Sequence, residues 1–188
     1  SYKEAINMAF DKIKQNDVLS SWYDSFTNQF HKRNVWQYLE VPEKGCFTDF
    51  RIMKVDNEEL ALERVFSIGG KTGWYYANFL WKIRGFLDKL IGGVGLRRGR
   101  RNQNELEAGD SVDFWRVLYA NKEEKRLLLF AEMKVPGEAW LEFYIKNGEL
   151  YQEATFRPLG LSGRLYWYSV LPFHGLIFNG MLRKLAGK

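Results

Sequence analysis

Apolar side chains recur at Tyr2, Ile6, Ala9, Phe10 and Ile13, the spacing of one stripe on a helix, which predicts a helical first segment from Tyr2 to Gln15. The polar, aromatic-dotted stretch that follows to about Pro42 has no clear period and reads as a linker or docking arm. From Gly45 to Val55 the period becomes two: Phe47, Asp49 and Arg51 share one phase, and Thr48, Phe50 and Ile52 the other, as in a strand. Asp56 followed by Glu59 supplies an N-cap and its reciprocal acid, opening a short helix that ends at Gly69-Gly70. A longer helix is expected from about Gly73 to Ile91. Leu80, Ile83, Leu87, Leu90 and Ile91 fall on its apolar face, Lys82, Asp88 and Lys89 fall off it, and Gly92-Gly93 stops it.

After a cluster of arginines the period is two again. Ser111–Tyr119, Arg126–Val135, Ala139–Lys146 and Glu149–Arg157 read as four consecutive strands, with turns at Pro136-Gly137 and Asn147-Gly148. Leu129, Ala131 and Met133 share a phase, as do Leu141, Phe143 and Ile145; Glu132, Lys134, Glu142 and Tyr144 occupy the opposite one. A meander with one apolar face needs a cover. The uncharged stretch Leu165–Leu182 is the candidate, with Pro172 expected to bend or split the helix. Its length alone would allow a membrane span. Pro172, His174 and Asn179 within it, and aromatics spread along its whole length, favour a helix buried against the sheet, so no membrane span is expected. The expected fold is α+β, a curved antiparallel sheet wrapped around a long C-terminal helix, with residues 1–42 as N-terminal helix and arm and 43–188 as the domain.

Composition sharpens this in a few places. The chain has 188 residues, is 46% hydrophobic and 16% aromatic, and carries seven Trp, so the core is expected to be built largely from rings. One cysteine, Cys46, excludes an internal disulfide and fits a reducing cytoplasm; with only two His besides, a structural zinc site has too few of its usual ligands, and no metal is expected. The net charge of +5 is concentrated at Arg97, Arg98, Arg100 and Arg101. That cluster is short and lacks a flanking aromatic platform. It reads as a solvated or partner-contacting face with Glu105, Glu107 and Asp110 nearby, and no nucleic acid is expected. The chain opens on Ser1, which suggests a piece of a longer polypeptide, although removal of an initiator Met would look the same.

Three stretches resemble a known family. GGKTGWYYANFLWKIRGFLDKLIGGVGLRRGRR, AEMKVPGEAWLEF and FRPLGLSGRLYWYSVLPFHGLIF, together most of Gly69 to Phe178, are similar to one bacterial family of unknown function within the helix-grip, START-like superfamily. That superfamily also holds birch-pollen allergens, polyketide cyclases and lipid-transfer domains. The resemblance implies a cavity between sheet and terminal helix. It also implies that such a domain often follows an NAD(P)-binding domain of the short-chain-dehydrogenase type, to which Ser1–Gln15 would be the tail or connector. It carries no assigned catalytic residues.

Candidate site residues are therefore read from the chain itself. Gly92-Gly93-Val94-Gly95 is no dinucleotide loop, because it follows a helix where a GxGxxG loop follows a strand and opens a helix; no cofactor is expected. Glu132 and Glu142 share a phase with Trp140 and Tyr144, and Arg116 falls on the next strand. Facing outward they are ordinary cross-strand pairs; lining a cavity they are polar anchors or an acid–base pair. His174 reads as a satisfied core histidine or a catalytic one, and Tyr166, Trp167, Tyr168, Phe173 and Phe178 as core, some of them lining the cavity. The ligand-binding candidates are Arg116, Glu132, Trp140, Glu142, Tyr144, Tyr166, His174 and Phe178. The functional expectation is a small hydrophobic ligand bound by the substrate-binding or regulatory part of a larger oxidoreductase-like protein. The rival expectations are a cyclase- or hydrolase-like enzyme using Glu132, Glu142 or His174, and a structural domain that forms a homodimer.

Overall fold

A computed structural model of the chain describes residues 39–95 and 105–188. The expected N-terminal helix, most of the arm and the arginine cluster lie outside the described residues. Strand β1 (Phe47–Lys54) alternates between half-buried and exposed positions along its whole length, as its period-two pattern predicts. Helix α1 (Glu58–Phe66) is capped one residue later than expected. Asn57, in extended conformation, accepts from the Leu60 backbone N–H at 3.0 Å, leaving Asp56 outside the cap. Glu58 is drawn away from the helix end to Lys125 and to the Gly148 N–H, which ties α1 to two hairpin turns.

Helix α2 (Asn78–Leu90) begins five residues after Gly73. Gly69 and Gly73 exchange backbone hydrogen bonds, Tyr75 and Ala77 have positive φ, and Asn78 Oδ1 accepts from the Trp74 N–H, so this segment forms a loop instead of a first helical turn. The expected apolar face of α2 is not its buried face, although Leu80, Ile83 and Leu87 of that face border the cavity described below. Trp81, Gly85 and Asp88 are its buried residues, while Ile83, Leu87, Leu90 and Ile91 are exposed. Asp88, expected off the apolar face, is fully buried and accepts hydrogen bonds from the Gly95 and Lys134 N–H groups.

The sheet has the order β1-β6-β5-β4-β3-β2, with every neighbouring pair antiparallel. The strand expected over Ser111–Tyr119 is broken into β2 (Ser111–Val112) and β3 (Trp115–Asn121). Between them Asp113 takes a left-handed φ of 53° and accepts from the Trp74 indole N–H at 2.8 Å, and β3 is further irregular between Val117 and Tyr119. Strand β4 (Arg126–Ala131) stops four residues short of Val135, before β5 (Gly137–Lys146) and β6 (Glu149–Pro158). The Asn147-Gly148 turn has positive φ at both residues, as a tight hairpin of this kind requires.

Helix α3 (Gly160–Ala186) continues through Pro172 as one element, so the proline does not split it. Proline removes the bond to the carbonyl four residues back; that residue, Tyr168, is exposed, and water can serve its carbonyl. The helix packs chiefly on β6 and β1, giving the curved sheet and gripped terminal helix that the pattern predicts. Beneath its C-terminal half, Met181, Leu182 and Leu185 meet a core that includes Val117, Leu129, Leu141, Phe143 and Leu150. Each such side chain contributes about 1.5–3 kcal/mol by leaving water. The opposite face of the sheet is not uniformly wet, since Leu128, Phe130 and Trp140 are buried there as well. No helix among the described residues is long and apolar enough to cross a membrane.

Candidate functional site

Beneath the N-terminal half of α3 the core is not filled. A cavity of about 380 Å³ lies between the sheet, α2 and α3. The sheet contributes Trp115, Ala139, Ala154 and Phe156, with Met133 and Val135 from the segment after β4. Helix α2 contributes Trp81, Ile83, Arg84 and Leu87; α3 contributes Tyr166, Trp167, Phe173, His174 and Phe178. The space exists because Ala139 and Ala154 stand where larger apolar residues occupy the neighbouring inward positions Leu141 and Phe143. Ile83, Leu87 and Phe173 are exposed, so they mark a mouth between α2 and α3.

Against these apolar walls a few polar groups stand out. The indole Nε1 of Trp81, the indole Nε1 of Trp115 and Nδ1 of His174 are buried without a hydrogen-bond partner, and all three residues line the cavity. Buried donors left unpaired are uncommon and costly, which marks them as places where an acceptor fits. The Arg84 guanidinium lies 5.6 Å from the centre of the Tyr166 ring. Burial, with Asp88 nearby, raises the pKa of the Tyr166 hydroxyl, and Arg84 works against it.

His174 belongs to a second polar group at the β1–α3 contact. Its ring stands edge-on to Trp167 and packs beside Phe178, with Nδ1 3.9 Å from Asp49 Oδ2. Asp49 receives two hydrogen bonds from Arg51, at 2.7 and 2.8 Å, and Arg51 also donates to Asn179 on α3. Burial lowers the His174 pKa below its ordinary value; Arg51 pushes the same way and Asp49 opposes. Gln152, opposite Arg51 in the β1–β6 register, is fully buried with neither amide atom partnered.

Of the candidates read from the sequence, Trp140, Tyr166, His174 and Phe178 border the cavity. The Trp140 ring itself meets Phe130 and Arg157 on the other side of the sheet. Arg116, Glu132, Glu142 and Tyr144 are not in the wall, and this corrects their place in the candidate set. Strand alternation puts them on the opposite face, where Arg116 pairs with Glu132 at 2.8 Å, Arg126 pairs with Glu142, and Tyr144 stacks on Tyr151. The two glutamates are engaged by different arginines. Trp81, Trp115, Asp49, Arg51 and Gln152 were missed. Asp49 and Arg51 share the inward phase of Phe47, a signal present in the pattern of β1 itself.

The glycine-rich turn after α2 holds a carboxylate of the protein's own. Asp88 accepts from the Gly95 N–H at 2.8 Å and the Lys134 N–H at 2.7 Å, and a Cβ on Gly93 would overlap it. This fixes the turn and the segment carrying Met133 and Val135, and therefore one wall of the cavity. Among the described residues no group of three or more His, Cys, Asp or Glu is placed to hold a metal ion.

Among solved structures, a hypothetical protein (jhp0584) from Helicobacter pylori aligns over 78% of this chain and 90% of its own, with 8% identity and a TM-score of 0.41. CalU16 from Micromonospora echinospora aligns over 75% and 80% with 10% identity and a TM-score of 0.33. Ara h 8.0201 aligns over 77% and 100% with 11% identity and a TM-score of 0.33. In sequence, the chain is 30% identical over 103 residues to a probable translation initiation factor IF-2 of Pyrococcus abyssi (strain GE5 / Orsay), but spans only 10% of that protein's length. Residues 43–181 match a family described as protein of unknown function (DUF2867).

Proposed function

Since the chain belongs to the DUF2867 family, whose description assigns no activity, its chemistry has to come from its own residues, and we propose that the domain binds a small amphiphile in the cavity between sheet and α3. The ligand has an apolar body and a head that accepts hydrogen bonds, such as a carboxylate, carbonyl or hydroxyl. One observation carries this reading. The wall is apolar, yet it holds two indole donors, Trp81 and Trp115, with no acceptor among the described residues. An apolar wall with a few convergent polar groups is the usual build of a ligand pocket, and the cavity lies at the small end of the customary range of about 300–1,000 Å³.

The role proposed for such a domain is that of substrate-binding or regulatory part of a larger NAD(P)-dependent oxidoreductase-like protein in the cytoplasm, a place that rests on the family resemblance. Native mass spectrometry of the full chain, followed by organic extraction, tests the binding reading. The expected result is one co-purifying or saturably titrated amphiphile per chain, lost in A139F/A154F, which fills the cavity with rings. A chain that takes up no amphiphile, or a filled variant that binds as well as the wild type, contradicts it.

A second reading has one observation in its favour. His174 lines the cavity with Asp49 3.9 Å from its Nδ1, and burial keeps the imidazole neutral, so it can take a proton from a bound substrate with Asp49 steadying the imidazolium. In this reading His174 moves the proton, while Glu132 and Glu142 stay with Arg116 and Arg126 on the other face of the sheet.

A further inference from the structure

The mouth of the cavity is framed by more exposed apolar surface than a water-facing rim needs. On α2, Phe79, Phe86 and Leu90 are 63%, 62% and 66% exposed, and next to them Ile83 and Leu87, with Phe173 of α3, form the exposed mouth itself. Phe79, Phe86 and Leu90 lie outside the cavity wall and away from the buried Trp81, Gly85 and Asp88 of the same helix. Contiguous apolar surface of this kind marks a binding face, and its charge pattern says for what. Every charged residue of α2 that reaches solvent is cationic, namely Lys82, Arg84 and Lys89. Its one acid, Asp88, is fully buried. Helix α3 contains no acidic residue in its 27 positions.

We infer that the α2–α3 face around the cavity mouth docks on an anionic lipid bilayer, and that the cavity takes its amphiphile from that bilayer. This rests on the cavity reading above and adds the source of the ligand. Apolar side chains interleaved with lysine and arginine are the composition of interfacial helices, which sink their apolar face to the headgroup boundary while the cations meet anionic lipid. Phe173 belongs to both features, as a wall of the cavity and as part of the exposed rim. An amphiphile leaving the bilayer there reaches the two indole donors without crossing water. A protein partner would call for charge complementarity of its own, and two copies of this chain would bring the same cations face to face.

Flotation of the full chain with vesicles of phosphatidylcholine, with and without phosphatidylglycerol, tests this. The wild type is expected to float with the anionic vesicles and at least about tenfold less with the neutral ones. F86D/L90D is expected to lose flotation. K82E/K89E is expected to weaken it by about thirtyfold or more, and carries the test alone should F86D/L90D fail to fold by circular dichroism. Neither pair touches the cavity wall, so amphiphile binding in vesicle-free buffer should persist in both; its loss from the wild type would fell the cavity reading instead. Absence of flotation with anionic vesicles at low salt overturns the docking inference. So does flotation unchanged in K82E/K89E, or a dimer in sedimentation that F86D/L90D dissociates.

Discussion

Removing the Asp88 carboxylate should be one of the most damaging single changes in the described chain. The side chain is fully buried and accepts from the Gly95 and Lys134 N–H groups at 2.8 and 2.7 Å. Hydrogen bonds to a charged acceptor contribute about 1.5–3 kcal/mol each, and D88A would leave the buried Gly95 N–H and the part-buried Lys134 N–H unpaired. Alanine returns about 0.5 kcal/mol of helix propensity, which leaves a net loss of about 3–5 kcal/mol. With a urea slope of about 2 kcal/mol/M, the midpoint should fall by about 1.5–2.5 M. Gly93 supplies an independent check on the geometry. A Cβ there would overlap the carboxylate, so G93A should destabilise the wild type but much less the D88A background, a coupling of about 1–3 kcal/mol. Urea unfolding followed by tryptophan fluorescence measures all four proteins. A D88A midpoint within about 0.2 M of wild type, or simple additivity with G93A, would refute the reasoning.

Q152L should stabilise the domain by about 1–3 kcal/mol, because a fully buried amide with no partner costs that much; equal or lower stability in a thermal melt would show that Gln152 is satisfied in solution. His174 should make stability pH-dependent. Its folded pKa lies below its unfolded value, so the unfolded chain takes the proton first; stability is fully present above about pH 6.5 and is lost as pH falls toward the folded value. H174Q should therefore lose less than wild type between about pH 7 and pH 5, and parallel curves would contradict this. G180A should gain nothing from better helix propensity, since its methyl would meet the Tyr76 ring; a rise of about 1 kcal/mol in urea unfolding would falsify that packing.

The parts of the fold legible in the sequence were those set by local period and turn chemistry. Strand β1, the β5–β6 hairpin and the terminal helix follow from alternation, from Asn147-Gly148 and from the uncharged run after Arg164. What misled was a residue whose role is set at a distance. Asp88 reads as a solvent-facing helical acid, yet the Gly92–Gly95 turn and Lys134, which is 46 positions away, fold around it and bury that side of α2. The break at Asp113 likewise depends on Trp74, 39 residues earlier. The cavity walls were half legible, because the aromatic run of α3 announces itself. The Asp49–Arg51–Asn179 contact joins positions 128 apart and leaves no local trace. The glutamate pairs were misassigned for a simpler reason, since a phase tells which residues share a face but not which face the helix covers.

The most direct test of the amphiphile reading uses the seven tryptophan indole N–H resonances in an ¹⁵N-labelled sample, with Trp81, Trp115 and Trp74 assigned by substitution to phenylalanine. Trp74 is the internal control, its N–H being held by Asp113 at 2.8 Å. Titration with a medium-chain carboxylate such as decanoate should move the Trp81 and Trp115 signals selectively and saturably, downfield as their N–H groups gain an acceptor, while Trp74 stays in place. Signals from Trp81 and Trp115 that do not move, or that move only in step with Trp74, would contradict the claim that these two donors receive the ligand's head.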